Sequence, residues 1–160
     1  MMIEKIKKIL AEIPDPEIPV ITIEELGIVR NIELVDGTVN IQITPTYSGC
    51  PAMKEIEVDI KKKLQDSGFS KVNIEMIYHP AWTTDWITDA AKEKLRKYGI
   101  APPAHSTVDK GALLGKPKII ACPQCASKNV EMISQFGSTA CKALYKCLDC
   151  REPFDYFKCI

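Results

Sequence analysis

The chain has 160 residues, of which 46% are apolar and 26% charged, a balance that can bury a core and excludes wholesale disorder. Basic and acidic side chains number 21 each, so the overall charge does not indicate a polyanionic partner. No apolar run approaches the roughly 20 residues that span a bilayer, and charges interrupt the apolar N-terminus, unlike a signal peptide. We therefore expect a cytoplasmic protein without membrane contact.

Six elements are predicted in the first hundred residues. Helical spacing or alternation of apolar residues gives, in chain order, a helix over 3–13, strands over 28–35 and 38–44, a helix over 53–64, a strand over 72–76 and a helix over 87–98. Asp36-Gly37 joins the first two strands, and this pair is typical of a tight hairpin turn. The order α-β-β-α-β-α predicts a small three-stranded α/β domain over residues 1–100.

Residues 101–160 differ from the first hundred in composition and in apolar patterning. Prolines and glycines without sustained apolar periodicity indicate a linker over 101–117. Short strands are predicted over 119–121, 130–134, 143–146 and 154–157, too short to build a core alone. Six of the seven cysteines also lie in this part of the chain. We therefore predict an α+β protein whose second domain covers residues 118–160.

Two C-x-x-C pairs, Cys122/Cys125 and Cys147/Cys150, are separated by 21 residues. In a reducing compartment such pairs more often bind metal than form disulfides, and this spacing predicts a four-cysteine zinc ribbon. Four thiolates leave no open coordination position, so the zinc is expected to be structural. An iron-sulfur cluster is also held by four thiolates and stays the alternative. Cys141 or Cys159 could replace one of the four, although the simpler interpretation gives neither a ligand role.

The charge of the second part bears on nucleic-acid binding. Residues 106–160 carry 8 basic and 5 acidic side chains. A zinc ion with four thiolates adds a formal charge of −2, which leaves about +1. With so little positive charge, a nucleic-acid-binding zinc ribbon is disfavoured.

Cys50 is the only cysteine of the first domain, and it lies where the second strand gives way to a helix. Pro51 suits the first helical position, which places Cys50 at or near the N-cap and predicts a lowered pKa for its thiol. A reactive or metal-binding thiol and an inert core residue both fit this position. His79 and His105 lie in proline-containing loops without an acid or nucleophile partner nearby in sequence, and Gly-rich phosphate loops are absent, so we expect no catalysis.

Three motifs carry a resemblance to a known family: Asp15-Pro16-Glu17-Ile18-Pro19, Glu25-Leu26-Gly27-Ile28-Val29, and Thr44-x-Thr46-x-x-Gly49-Cys50-Pro51. In this order they resemble the SufT-like domain of iron-sulfur assembly factors. The later segments 134–145 and 152–158, together with the C-x-x-C pairs, resemble the PaaD family of small accessory subunits encoded with phenylacetyl-CoA epoxidase. The resemblance spans nearly the whole chain.

The resemblance implies a non-catalytic accessory role in phenylacetate catabolism, assisting the delivery or insertion of iron or an iron-sulfur cluster. It places Cys50 on the family's characteristic cysteine and Asp15 on its acidic residue, as groups that handle iron or a cluster transiently. The implied partners are the epoxidase subunits or their reductase, and the iron-sulfur assembly machinery. A stoichiometric structural subunit, a nucleic-acid-binding protein and a thiol oxidoreductase are the competing hypotheses.

Overall fold

Two separate β-sheets organise the chain. The computed structural model describes residues 1–103 and 119–157, and the chain divides into two compact units, Met1–Trp82 and Thr83–Ile160. Most of the predicted linker, together with His105 and Cys159, lies outside the described residues. In the described part of the chain no helix is long and apolar enough to cross a membrane.

The first unit has a three-stranded sheet with two helices. Its elements are α1 Met2–Leu10, β1 Val29–Val35, β2 Thr38–Ile43, α2 Ala52–Asp66 and β3 Lys71–Met76. β1 pairs antiparallel with β2, and β3 pairs parallel with β2. Because parallel neighbours need a long crossover, α2 forms the connection between β2 and β3. The first five predicted elements occur in the predicted order, and the mixed α/β fold class is confirmed.

The β1–β2 hairpin turns where the sequence predicts it. Asp36 has a φ of 49° and Gly37 a φ of 75°, as a two-residue type I′ turn requires. Val35 pairs with Thr38 immediately beyond the turn. The turn therefore fixes the register, and with it the face of the sheet that each side chain occupies.

Aliphatic side chains fill the core of the first unit. Alternate residues of β2, namely Val39, Ile41 and Ile43, are at most 1% exposed. α2 buries Ile56, Ile60 and Leu64, which share one helix face, and α1 buries Ile6 and Leu10. Burying each such side chain contributes about 1.5–3 kcal/mol before the entropic cost of folding. This core is the support from which the loops of the unit project.

The second unit has a four-stranded sheet in the order β4-β7-β6-β5. Its elements are a 3-10 turn at Thr84–Trp86, α3 Asp89–Tyr98, β4 Ile100–Ala101, β5 Val130–Ser134, β6 Lys142–Cys147 and β7 Pro153–Phe157. One cluster of buried residues in this unit consists of Ala101, Ile120, Cys122, Cys147, Phe154 and Tyr156. The ring of Tyr145 stacks on Phe154, with the ring centroids 6.0 Å apart. Two of the six residues of this cluster are cysteines of the C-x-x-C pairs.

The boundary between the units differs from the one expected from sequence. The sequence predicts a first domain over residues 1–100, whereas the structure divides after Trp82 and gives α3 to the second unit. The reason is β4, which pairs parallel with β7 at the far end of the chain. The predicted strand over 119–121 is wrong, because these residues form no strand.

In the loop between β5 and β6, a side chain at position 137 would contact Asp155 and Lys142. A Cβ atom on Gly137 would lie 2.6 Å from Asp155 Oδ1 and 3.4 Å from Lys142 Cβ. We predict that Gly137→Ala lowers the free energy of unfolding of the second unit by about 1–3 kcal/mol, the usual cost of overpacking. Denaturant unfolding of the full chain measures this. Adding Asp155→Ala should recover part of the loss, and no recovery would contradict the steric explanation.

Candidate metal and thiol sites

The two C-x-x-C pairs converge in the second unit. The Sγ atoms of Cys122, Cys125, Cys147 and Cys150 all lie within 4.8 Å of one another. Two contacts join the pairs, Cys122 to Cys150 at 3.7 Å and Cys125 to Cys147 at 3.6 Å. A tetrahedral zinc with metal–sulfur bonds of about 2.3 Å has sulfur–sulfur edges of about 3.8 Å. The four thiols therefore have the spacing that one tetrahedral metal ion needs.

Each C-x-x-C pair lies on a tight turn of the same kind. The Cys122 carbonyl accepts the backbone N–H of Ala126 at 2.8 Å, and the Cys122 N–H donates to the Ser127 carbonyl. The N–H of Cys147, at the end of β6, donates to the Glu152 carbonyl at 3.0 Å. The fourth residue after each first cysteine has positive φ, 61° at Ala126 and 65° at Arg151. These turns direct both thiols of a pair to one side.

Hydrogen bonds connect the two turns directly. Leu148 N–H donates to the Asn129 carbonyl at 2.9 Å. The Asp149 carboxylate accepts the hydroxyl of Ser127 and, at 2.9 Å, the side-chain amide of Asn129. These hydrogen bonds lower the pKa of Asp149. The separation between the thiol pairs is thus set by protein contacts as well as by any bound metal.

The proton affinities of the four thiols are unequal. Backbone N–H groups of Cys150 and Asp149 point at Cys147 and lower its pKa to about 7. The backbone N–H of Glu152 lowers the pKa of Cys150, but desolvation and the neighbouring thiols outweigh it and raise that pKa to about 12. Crowded thiols cannot all ionise together, and a cation among them favours the thiolates. Metal uptake at this site therefore releases protons.

Two further cysteines, Cys141 and Cys159, belong to the second unit. Cys141 is 5% exposed and its Sγ lies 3.0 Å from the Thr139 hydroxyl, outside the four-thiol group. Cys159 lies outside the described residues. Within the described part of the chain, the structure thus brings together the four predicted ligands and not Cys141.

We predict that Cys147→Ser abolishes metal binding and unfolds the second unit, because Cys147 lies in the buried cluster and the binding energy of a structural metal contributes to folding. Metal content per chain and resistance of the second unit to protease measure the two effects. Cys141→Ser, which changes a buried thiol outside the group, should retain the metal. A folded, protease-resistant second unit after complete chelation would contradict the prediction.

Cys50 lies in the first unit, between β2 and α2. The N-cap of α2 is Pro51, so Cys50 stands one residue before it, near the predicted position. Its N–H donates to the Tyr47 carbonyl at 3.3 Å, and Gly49 before it has a φ of 80°. Left-handed backbone at Gly49 costs little because glycine lacks a Cβ atom. The thiol is half-buried.

Asp15 and Glu17 come to Cys50 from the segment after α1. Asp15 is 6% exposed, and its Oδ1 accepts the backbone N–H groups of Glu17 at 2.9 Å and Ile18 at 2.8 Å. This side-chain turn fixes the acidic segment. Both carboxylates lie close enough to act electrostatically on the Cys50 thiol. Two motifs more than thirty residues apart in sequence therefore meet at one site.

The pKa of Cys50 is raised, so the prediction of a lowered pKa is wrong. Desolvation is the largest cause, and the negative charges of Glu17 and Asp15 act in the same direction. Hydrogen bonds from Ala52 N–H and the Tyr47 side chain lower the pKa without reversing the outcome. A thiol beside two carboxylates keeps its proton until a cation replaces it. This arrangement suits reversible cation binding better than spontaneous nucleophilic attack.

Sequence reasoning missed Glu17 and Tyr47 at this site. Both lie inside the motifs around Asp15 and Cys50, so the signal was present, but only the folded chain shows that they reach Cys50. His79 is exposed and precedes Pro80, and His105 lies outside the described residues.

We predict that Cys50 alkylates more slowly at pH 8 than a free cysteine peptide, because its raised pKa leaves less thiolate. Glu17→Gln should lower that pKa and speed alkylation, whereas Glu33→Gln on β1, which is not among the groups acting on Cys50, should not. Peptide-level mass spectrometry of timed iodoacetamide reactions reports Cys50 alone. Equal rates in the Glu17 variant and the parent protein would count against the carboxylate effect.

Two family models match the chain. The PaaD zinc beta ribbon domain matches residues 106–158, and the iron-sulfur cluster assembly protein model matches residues 3–76. The second match ends before α3, close to where the first compact unit ends.

Curated relatives and solved structures match as well. The chain is 51% identical to a putative subunit of the 1,2-phenylacetyl-CoA epoxidase of Escherichia coli K12, over 99% of this chain and 93% of the relative. It is 33% identical to an Fe-S protein maturation auxiliary factor of Porphyromonas gingivalis, over 58% of this chain and 89% of the relative. A solved DUF59 domain from Bacillus anthracis aligns with a TM-score of 0.54 at 26% identity, covering 57% of this chain and 89% of that one.

Proposed function

Because the chain belongs to the PaaD family, we propose that it is a non-catalytic accessory factor in phenylacetate degradation that helps mature phenylacetyl-CoA epoxidase. Its task is to assist the delivery or insertion of iron or an iron-sulfur cluster. The observation that carries the proposal is the Cys50 site, where a half-buried thiol lies beside the carboxylates of Asp15 and Glu17.

The first unit supplies the chemistry in this proposal. A thiol and carboxylates offer ligand atoms to iron, which here is cargo to be passed on. Protonation of the thiol competes with the metal, so binding at Cys50 is readily reversed, as transfer demands. Relatives named as Fe-S protein maturation auxiliary factors match a segment of about the size of this unit.

The second unit serves as a docking module in this proposal. Cys122, Cys125, Cys147 and Cys150 would hold one zinc ion, and four thiolates complete its coordination. Zinc would therefore stabilise the turns without taking part in a reaction. The partners proposed for the whole chain are the epoxidase subunits or their reductase, together with the iron-sulfur assembly machinery of the cytoplasm.

A stoichiometric structural subunit is the second candidate. The Escherichia coli relative is named as a subunit of the epoxidase, which favours this alternative directly. A maturation factor acts on many epoxidase molecules and leaves, whereas a structural subunit remains in a fixed ratio. The composition of the purified active epoxidase separates the two hypotheses.

We predict that Cys50→Ala leaves the fold intact, because removing a half-buried sulfur makes only a small cavity, while epoxidase components from cells carrying it contain several-fold less iron or cluster. Growth on phenylacetate should slow accordingly. Iron and sulfide per purified epoxidase complex are the decisive measurements. Ser48→Ala, an exposed substitution in the same loop, is the matched control and should leave the iron content unchanged.

Two outcomes would contradict this assignment. Normal iron and sulfide with reduced activity would favour a direct structural contribution. Co-purification of the chain with active epoxidase in a fixed ratio, unaffected by Cys50→Ala, would favour the structural subunit.

A further inference from the structure

A lysine on the sheet of the second unit is buried with few acceptors. Lys142 opens β6, directly after the loop 135–141, and is only 6% exposed. Its Nζ donates to the Ser138 hydroxyl oxygen at 3.0 Å. An ammonium group has three N–H donors, and among the described residues this is its only hydrogen bond. A buried ammonium without an anionic partner is costly, so the site favours an added acceptor.

In the hydrogen bond between Lys142 and Ser138, the serine hydroxyl oxygen is the acceptor. The Ser138 O–H therefore stays available to donate to another group. Ser138 is exposed, so a molecule from solution can reach that hydroxyl. Three backbone N–H groups in succession, at Ser138, Thr139 and Ala140, also have no hydrogen-bond acceptor within residues 1–103 and 119–157. Successive amides of this kind form concavities that bind anions.

The other charges near this loop limit the kind of anion. Asp155 pairs with Leu144 across the sheet, on the same face as Lys142, and its Oδ1 lies against Gly137. Within the described residues Asp155 makes no ion pair with Lys142, so its carboxylate lowers the positive potential at the site without bonding the ammonium. One cation with a carboxylate nearby suits a singly charged anion better than a doubly charged phosphate.

We propose that residues 138–140 and Lys142 form a binding site for a carboxylate group, supplied by a small organic acid or by an acidic side chain of a protein. The Ser138 hydroxyl and the loop amides contact the carboxylate. Lys142 holds the hydroxyl in its donating orientation and donates one of its two remaining N–H groups to the carboxylate. The site is separate from Cys50 and independent of the maturation role.

The test is a titration of the full-length, metal-loaded chain with sodium acetate, followed by amide chemical shifts. Sodium chloride at matched ionic strength is the reference, and inorganic phosphate is a second probe. The peptide acetyl-Gly-Glu-Gly-amide presents a single side-chain carboxylate. Saturating shifts at residues 138–140 with either carboxylate probe support the proposal. If only acetate causes the shifts, the natural source of the carboxylate is a small organic acid. If the peptide causes them, with or without acetate, the natural source is an acidic side chain of a protein.

Variants test the role of each group. Lys142→Met should raise the apparent Kd at least about tenfold, the factor expected for a lost charge-assisted hydrogen bond. Ser138→Ala removes an exposed hydroxyl without risk to the core and should also weaken binding. Asp155→Asn should tighten it. Lys146→Met, on an exposed lysine of the same strand, should leave the Kd unchanged.

Several results would overturn the proposal. These are equal shifts in chloride and acetate, tighter binding of phosphate than of acetate, or an unchanged Kd in Ser138→Ala and Lys142→Met together.

Discussion

The convergence of four thiols is the constraint on which the second unit depends. Cys122 and Cys147 belong to a cluster of six buried residues in this unit. Because two of the metal ligands are themselves part of the cluster, metal binding and hydrophobic burial stabilise it together. The hydrogen bonds to the Asp149 carboxylate from Ser127 and Asn129 hold the two turns at the separation that the metal needs. Core, turns and metal site are therefore one structural feature.

The first unit is stabilised in another way, and this difference suits its proposed task. Its core consists of aliphatic side chains that stabilise the sheet by hydrophobic burial, and the loop with Cys50 projects from that sheet. The thiol itself contributes little to that core. A residue that must bind and release cargo can change its protonation or ligation without unfolding the sheet beneath it.

Electrostatics at Cys50 illustrates a competition between local and tertiary effects. A helix N-terminus lowers the pKa of a nearby thiol, and the sequence alone supports that expectation. Burial and the carboxylates brought in by the Asp15–Ile18 turn act in the opposite direction and prevail. The result is a raised pKa for Cys50, which leaves less thiolate for oxidation and alkylation at a given pH.

Local chemistry made several features readable from sequence. Asp36-Gly37 encodes its turn because few residues accept positive φ, the helices and strands follow from apolar periodicity, and each C-x-x-C pair needs only its own turn to present two thiols. Long-range pairing decided the rest. β4 pairs with β7 across more than fifty residues, which places α3 in the second unit. Lys142 is buried in the folded chain, although a lysine at the start of a strand is expected to be exposed. The sequence by itself thus determined most helices and strands and the types of metal ligand. The tertiary structure decided the unit boundary, the raised pKa of Cys50 and the burial of Lys142, because each of these three features depends on groups that only folding brings together.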